Sequence, residues 1–227
     1  MASVHDGHRA RRKAQFCEHG LDAFTDYGAL ELLLFYAVPQ QDVNPLAHRL
    51  LDRFGSLEAV FSAPPEELKS VKGVGEHVAT LLALVLPLVR RAYMQSIREG
   101  VPLCDAEQLG RYFRGLFFGV HREVFYEACL DAKGKLLRCW KLADGSVNSV
   151  QINVRCVVEN ALRCQASAVA LAHNHPSGVA LPSPDDNTTT LMVYNALQTV
   201  GIELIDHIIV ADGDFVSLRD NGLFSYR

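Results

Sequence analysis

The sequence predicts an α+β protein in two parts, a helical domain over residues 1–99 and a mixed α/β domain over residues 100–227. Three observations predict it. From Asp22 to about Arg98 apolar residues recur at helical spacing. The stretch Arg98-Glu99-Gly100-Val101-Pro102 then breaks that pattern with charge, glycine and proline. Beyond it, short alternating and short continuous apolar runs are interleaved with helical ones, as in a mixed sheet flanked by helices.

Composition agrees. Of 227 residues, 49% are hydrophobic and 21% charged, with a formal net charge of −4, which supplies a packed core and excludes disordered and fibrous classes. The N-terminus carries the basic stretch His8-Arg9-Ala10-Arg11-Arg12-Lys13 and no apolar h-region. The longest apolar run, Leu81 to Val89, contains Pro87 and is too short to span a bilayer. A cytoplasmic protein with no membrane partner is the expectation. Six cysteines (17, 104, 129, 139, 156 and 164) form no CxxC pair, so they are read as reduced, buried, small apolar residues and not as a zinc cluster or disulfide framework.

In the first domain, Leu30, Leu33, Leu34 and Ala37 mark a helix ended at Val38-Pro39. Pro45 opens a second, Leu46 to Phe54, closed by Gly55. Ser62 is the expected cap of a third, beginning at Pro64-Pro65. Residues 68–79, with Gly73 and Gly75 one residue apart, resemble a helix-hairpin-helix. Such a turn can simply join two helices, or can present helix N–H groups to a phosphate as a weak, non-specific DNA contact. Glu76 follows the second glycine, and residues 1–99 hold 11 Lys and Arg against 12 Asp and Glu, far from the basic footprint that drives nucleic-acid affinity.

In the second domain, Glu123 to Asp131 reads as a strand, Lys133-Gly134 as a turn and Leu136 to Leu142 as its partner strand. Ala143-Asp144-Gly145 reads as a turn into a third strand around Val147 to Ile152. Val154, Val157, Val158, Ala161 and Leu162 fit one helical face. Ala168 to Ala172 is continuously apolar, as a strand buried on both faces should be. A helix from Pro184 to about Val200, a strand from Glu203 to Val210 and a hairpin through Asp212-Gly213 complete the order.

The chemistry sits where the buried strand ends. His173 and His175, at i and i+2, point to the same side of a strand. Ser183 caps the next helix, Pro184 takes its first position and Asp186 its third, which orients the Asp186 carboxylate. Two neutral imidazoles and a carboxylate suit zinc, and three protein ligands leave a fourth position for water, the mark of a catalytic site. Each piece alone is an ordinary loop or helix start. The joint pattern His-x-His-Pro, six residues, then Ser-x-x-Asp is not.

That pattern resembles the JAMM motif of the MPN-plus metallohydrolases. Its wording His-Asn-His-Pro-Ser-Gly, with Gly145-Ser146-Val147-Asn148-Ser149-Val150, Arg155, Asp206-His207 and Ser217, resembles the RadC (UPF0758) branch, and the similarity runs from about residue 18 to 223. The resemblance implies a JAB/MPN domain, cytidine-deaminase-like, at residues 100–227. It also implies a glutamate acting as general acid and base, matched by Glu123, with Glu127 the alternative and pairing to Arg122 the structural reading of Glu123. It gives Ser183 a second role beside an oxyanion or the catalytic water. Relatives carry Arg-Glu where this chain has Arg155-Cys156, which bears on local helix contacts; Cys156 is expected in the core.

The function so implied is zinc-dependent hydrolysis of an amide or isopeptide bond in an unknown peptide or protein. The alternative is a DNA-associated module, in a repair or recombination context, whose JAB domain is a scaffold or acts on nucleic acid.

Overall fold

The computed structural model describes residues 4–98, 102–145 and 152–224. The chain divides into two compact units, Met1–Val89 and Arg90–Arg227.

The first unit is helical. After α1 (Val4–His19) come α2 (Asp26–Ala37), α3 (Asn44–Phe54), α4 (Leu57–Ser62), α5 (Pro65–Lys69) and the start of α6 (Glu76–Arg98). Thr25 and Ser56 cap α2 and α4 through their hydroxyls, and Gly55 ends α3 at φ 88°, a left-handed conformation that a Cβ disfavours. Leu30, Leu34, Leu50, Leu68, Ala79 and Leu82 are fully buried in one core. One expectation is corrected. Ser62 is the last residue of α4 and not a cap; Pro64 precedes α5 without a side-chain cap. The helix α1 was not foreseen, because it has no apolar face. Polar contacts hold it: Arg9 donates to the carbonyls of Phe35, Val38 and Gln41 at the end of α2, and His8 and Arg12 reach the buried Glu31 at 3.2 and 3.5 Å.

Among the described residues, α6 has the one apolar stretch long enough to be weighed as a membrane span, Glu76–Gln95. Its Val78, Ala79, Leu82 and Leu86 recur at helical spacing and are buried, which is the pattern of a packing helix.

The second unit is a five-stranded mixed sheet with helices on both faces. Its elements are α7 (Ala106–Phe117), β1 (Glu123–Leu130), β2 (Leu136–Gly145), α8 (Val154–Arg163), β3 (Ala168–Asn174), α9 (Pro184–Thr199), β4 (Glu203–Ala211) and β5 (Asp214–Ser217). The strand order is β2-β1-β3-β4-β5, with β3 and β4 parallel and every other pair antiparallel. A parallel pair needs a crossover, and α9 provides it. Every residue of β3 is buried, since α7 covers one face of the sheet through Leu109, Tyr112 and Phe113 while α8 and α9 cover the other through Val157, Ala161, Val193 and Leu197. The helix α7 is a further element not foreseen, capped by the Asp105 carboxylate on the Gln108 N–H at 2.7 Å.

The expected turn at Ala143-Asp144-Gly145 is instead the end of β2, paired with Glu123, Val124 and Phe125 across an irregularity. Of the third strand expected around Val147 to Ile152, all but Ile152 lies outside the described residues, and Ile152 is not in a strand. The cysteines are all free, as expected, yet only Cys129 is buried; Cys17, Cys104 and Cys156 are exposed, so Cys156 has no core role. Its thiol accepts from Asn160 Nδ2 at 3.7 Å, one turn further along α8.

Candidate metal centre

The end of β3 delivers His173, the residue just past that strand is His175, and the first turn of α9 delivers Asp186. His173 is fully buried, its ring stacked on Phe125 of the neighbouring strand at 4.6 Å and 16°. Its Nε2 lies 2.9 Å from His175 Nε2 and 3.1 Å from Asp186 Oδ1, and His175 Nε2 lies 3.6 Å from Asp186 Oδ2. Four ligands held about 2.0–2.1 Å from a tetrahedral zinc stand about 3.3 Å from one another. The three observed separations bracket that value, so the donor set fits such an ion. Among the described residues this is the one group of three such side chains with all donor atoms within 4.8 Å of one another.

The chain orients each donor from its far side. His175 Nδ1 donates to the Val179 carbonyl at 2.9 Å, which leaves Nε2 bare and facing the cluster. This bond needs the turn His175–Gly178, where Gly178 has φ +84° and a Cβ would lie 2.5 Å from Asp212 Oδ2. His173 Nδ1 meets His207 Nε2 of β4 at 2.8 Å, and His207 Nδ1 meets Thr190 Oγ1 of α9 at 2.6 Å. Ser183 forms a full capping box with Asp186: its Oγ accepts from the Asp186 N–H at 3.1 Å, while its N–H and hydroxyl both donate to Asp186 Oδ2 at 2.7 Å. The hydroxyl proton is thus directed at the ligand carboxylate.

Electrostatics follow the geometry. Burial alone would raise the Asp186 carboxyl, but contacts from His173, His175 and Ser183 outweigh it and hold the group far below the usual carboxylate range. Asp186 in turn lifts His175 above the ordinary imidazole value against burial, and Glu123 adds to the rise through space. Burial pushes His207 well below that value, so it is neutral. The cluster attracts positive charge, whether as a proton or as a metal ion.

Glu123 heads β1. The antiparallel register pairs Phe125 with His173, two residues along β1 from Glu123, and Glu123 is near enough to His175 to raise it through space. Strand alternation keeps Glu123 on the face of Phe125, the face on which the cluster lies. Arg122 is paired across the strands with Asp144 at 2.8 Å. Glu127 is four residues further along β1 and fully buried, accepting from Asn160 Nδ2 at 2.9 Å and from the Cys129 thiol. Burial pushes its carboxyl up to about 7, against those two hydrogen bonds.

Sequence reading did not assign roles to three residues that the fold brings to the centre. Thr190 lies one helical turn after Asp186, a spacing that could have flagged it. His207 stands in a run of apolar strand residues, also a visible oddity. Asn174 separates the two histidines and turns the other way, bonding the lead-in to β1. Asp206, beside His207, is buried and accepts from Ser217 Oγ at 2.6 Å and from the main-chain N–H groups of His207 and Arg219, anchoring the last segment to β4.

The sequence profile of the RadC-like JAB domain matches residues 103–223. The chain belongs to the RadC-like JAB domain family. It is 38% identical over 211 residues to a UPF0758 protein of Rhodobacter capsulatus, covering 93% of this chain and 99% of that one. It is 36% identical over 222 residues to a UPF0758 protein of Ruegeria pomeroyi, covering 98% and 99%. A UPF0758 protein of Burkholderia thailandensis is 38% identical over 204 residues, covering 89% and 78%. The architecture is therefore a helical N-terminal region followed by a JAB domain with a mixed five-stranded sheet. Its cluster of His173, His175 and Asp186 occupies the end of the central strand and the start of the crossover helix.

Proposed function

We propose that this protein is a zinc-dependent hydrolase of the JAMM type that cleaves an amide or isopeptide bond in a peptide or protein. One observation carries the reading: an imidazole nitrogen of His173, one of His175 and the carboxylate of Asp186 converge at separations of 2.9–3.6 Å. A zinc ion held by His173, His175 and Asp186 would supply Lewis-acid activation of water and of the scissile carbonyl.

The remaining work falls to the chain. Glu123 accepts a proton from the attacking water and delivers it to the leaving amine nitrogen, the two transfers that amide cleavage needs. Ser183 holds the Asp186 carboxylate in its first-turn position, and its hydroxyl serves a developing oxyanion only by turning its hydrogen away from Asp186 Oδ2. Phe125, buried and stacked on the His173 ring, backs that ligand. Family membership supports the same chemistry, although the relatives' names specify no activity.

The test has two arms. Purified full-length protein should contain about one zinc per chain, and changing His173 and His175 together to alanine should abolish it. A peptide-library screen should then find cleavage that a chelator stops and added zinc restores. Full zinc content in the double variant would overturn the ligand assignment, and cleavage indifferent to chelator would overturn the mechanism.

A further inference from the structure

We propose that Thr190 and His207 are positioning residues for the cluster: together they hold His173 in the tautomer with Nδ1 protonated and Nε2 bare. The inference rests on the metal reading above, and it is carried by counting hydrogens along three contacts.

Thr190 Oγ1 lies 2.6 Å from the Asp186 carbonyl oxygen, which can only accept, so the single hydroxyl hydrogen points there. The same Oγ1 lies 2.6 Å from His207 Nδ1 and, with its hydrogen already placed, must accept. His207 is fully buried, and among the described residues its ring nitrogens bond to Thr190 and His173 and to no carboxylate. A neutral imidazole has one N–H, here on Nδ1, so His207 Nε2 is bare. His173 Nδ1, 2.8 Å away, must therefore donate, and the bare nitrogen of His173 is the one that faces His175 and Asp186.

The opposite polarity fails at one point. If Thr190 donated to His207, its oxygen and the Asp186 carbonyl would face each other at 2.6 Å with no hydrogen between them. The chain also closes on itself, since it starts at one ligand, His173, and ends on the main chain of another, Asp186. One helix, α9, thus supplies a ligand and, a turn later, the group that sets the proton position of a second ligand. A hydrogen-bond partner on the outer nitrogen of a ligating histidine commonly contributes ten- to a hundred-fold in metal affinity.

The test compares full-length wild type with Thr190→Val, which keeps the shape and removes the acceptor, and with Thr190→Ser, which restores it. Nitrogen-resolved NMR of the imidazole rings in chelator-treated protein, about two units above the ordinary imidazole value, should find His173 protonated at Nδ1 in wild type and Thr190→Ser. In Thr190→Val the two tautomers should mix. Zinc affinity, read by competition with a chromophoric chelator, should fall about ten- to a hundred-fold in Thr190→Val and recover in Thr190→Ser. An unchanged tautomer or unchanged affinity in Thr190→Val would overturn the proposal.

If wild type shows the expected tautomer but takes up no zinc, the metal reading falls and the hydrogen-bond chain stands. Should Thr190→Val fold poorly, His207→Gln and His207→Leu give a second comparison. An amide can accept from His173 and donate to Thr190, whereas an alkyl group can do neither. Affinity should hold better in the first than in the second, and equal affinities would overturn the proposal.

Discussion

Asn174, which stands between the two histidines of the cluster, accepts a hydrogen bond from the Val124 N–H at 2.8 Å, and its Nδ2 donates to the carbonyls of Arg122 at 2.9 Å and Val120 at 3.3 Å. One side chain therefore ties the end of β3 to the segment that leads into β1. Glu123 lies inside that tied segment, so its placement depends on Asn174 and not only on its pairing with Gly145.

Replacing Asn174 with aspartate tests this dependence. The carboxylate can still accept from Val124 but has no hydrogen for either carbonyl, and the site is buried. An unmet buried acceptor costs about 1–3 kcal/mol, more when charged. Denaturant unfolding should report a loss of at least that order, and any hydrolytic turnover should drop with it. Unchanged stability would mean that the bridge is not what holds β1 in place.

Glu123→Gln should leave zinc content intact and remove most hydrolysis. The amide keeps size and hydrogen bonding but cannot carry a proton, and such groups contribute about a hundred- to ten-thousand-fold. Glu127→Gln should do little to turnover, because four strand residues place it about 13 Å further along β1 and Asn160 holds it against α8. Near-normal turnover in Glu123→Gln, with loss in Glu127→Gln, would reassign the base.

Glu127 should instead govern stability against pH. Its folded value, about 7, exceeds the ordinary 4.5, so the folded state binds the extra proton between those values. The contribution is fully present below the lower value and is lost as pH rises through the upper one. The loss approaches about 3 kcal/mol once both states are ionised. Chemical melts of wild type should weaken over that window, and Glu127→Gln should flatten the decline. A wild-type profile that stays level over the window would refute the assignment.

The hairpin at residues 68–79 should bind duplex DNA no more tightly than roughly 10⁻⁴–10⁻⁶ M at physiological salt, the ordinary non-specific range. Lys69 is already paired with Glu66 at 2.7 Å and with Glu76 at 3.2 Å, which occupies one of the hairpin's two lysines. Fluorescence anisotropy with full-length protein, over duplex and branched DNA, checks this; a sub-micromolar dissociation constant would contradict it.

What the sequence determined by itself is local. Period-two alternation turned His173 and His175 to one side, and the Ser183-Pro184-x-Asp186 start directed the carboxylate, because both signals act within about one turn or one pleat of chain. The unbroken run Ala168 to Ala172 announced a strand buried on both faces. Where no local signal exists, the reading failed: α1 has no apolar stripe and is held by Arg9, His8 and Arg12, and β2 continues through Ala143-Asp144-Gly145 because Glu123 to Phe125 offer it a partner. Only the tertiary structure decided which groups complete the site. His207 reaches His173 across 34 positions, Thr190 reaches His207 across 17, and Asn174 reaches Val124 across 50. Strand periodicity and helix capping say where a side chain points, but register and helix docking, set by burial of the whole sheet, decide what it meets.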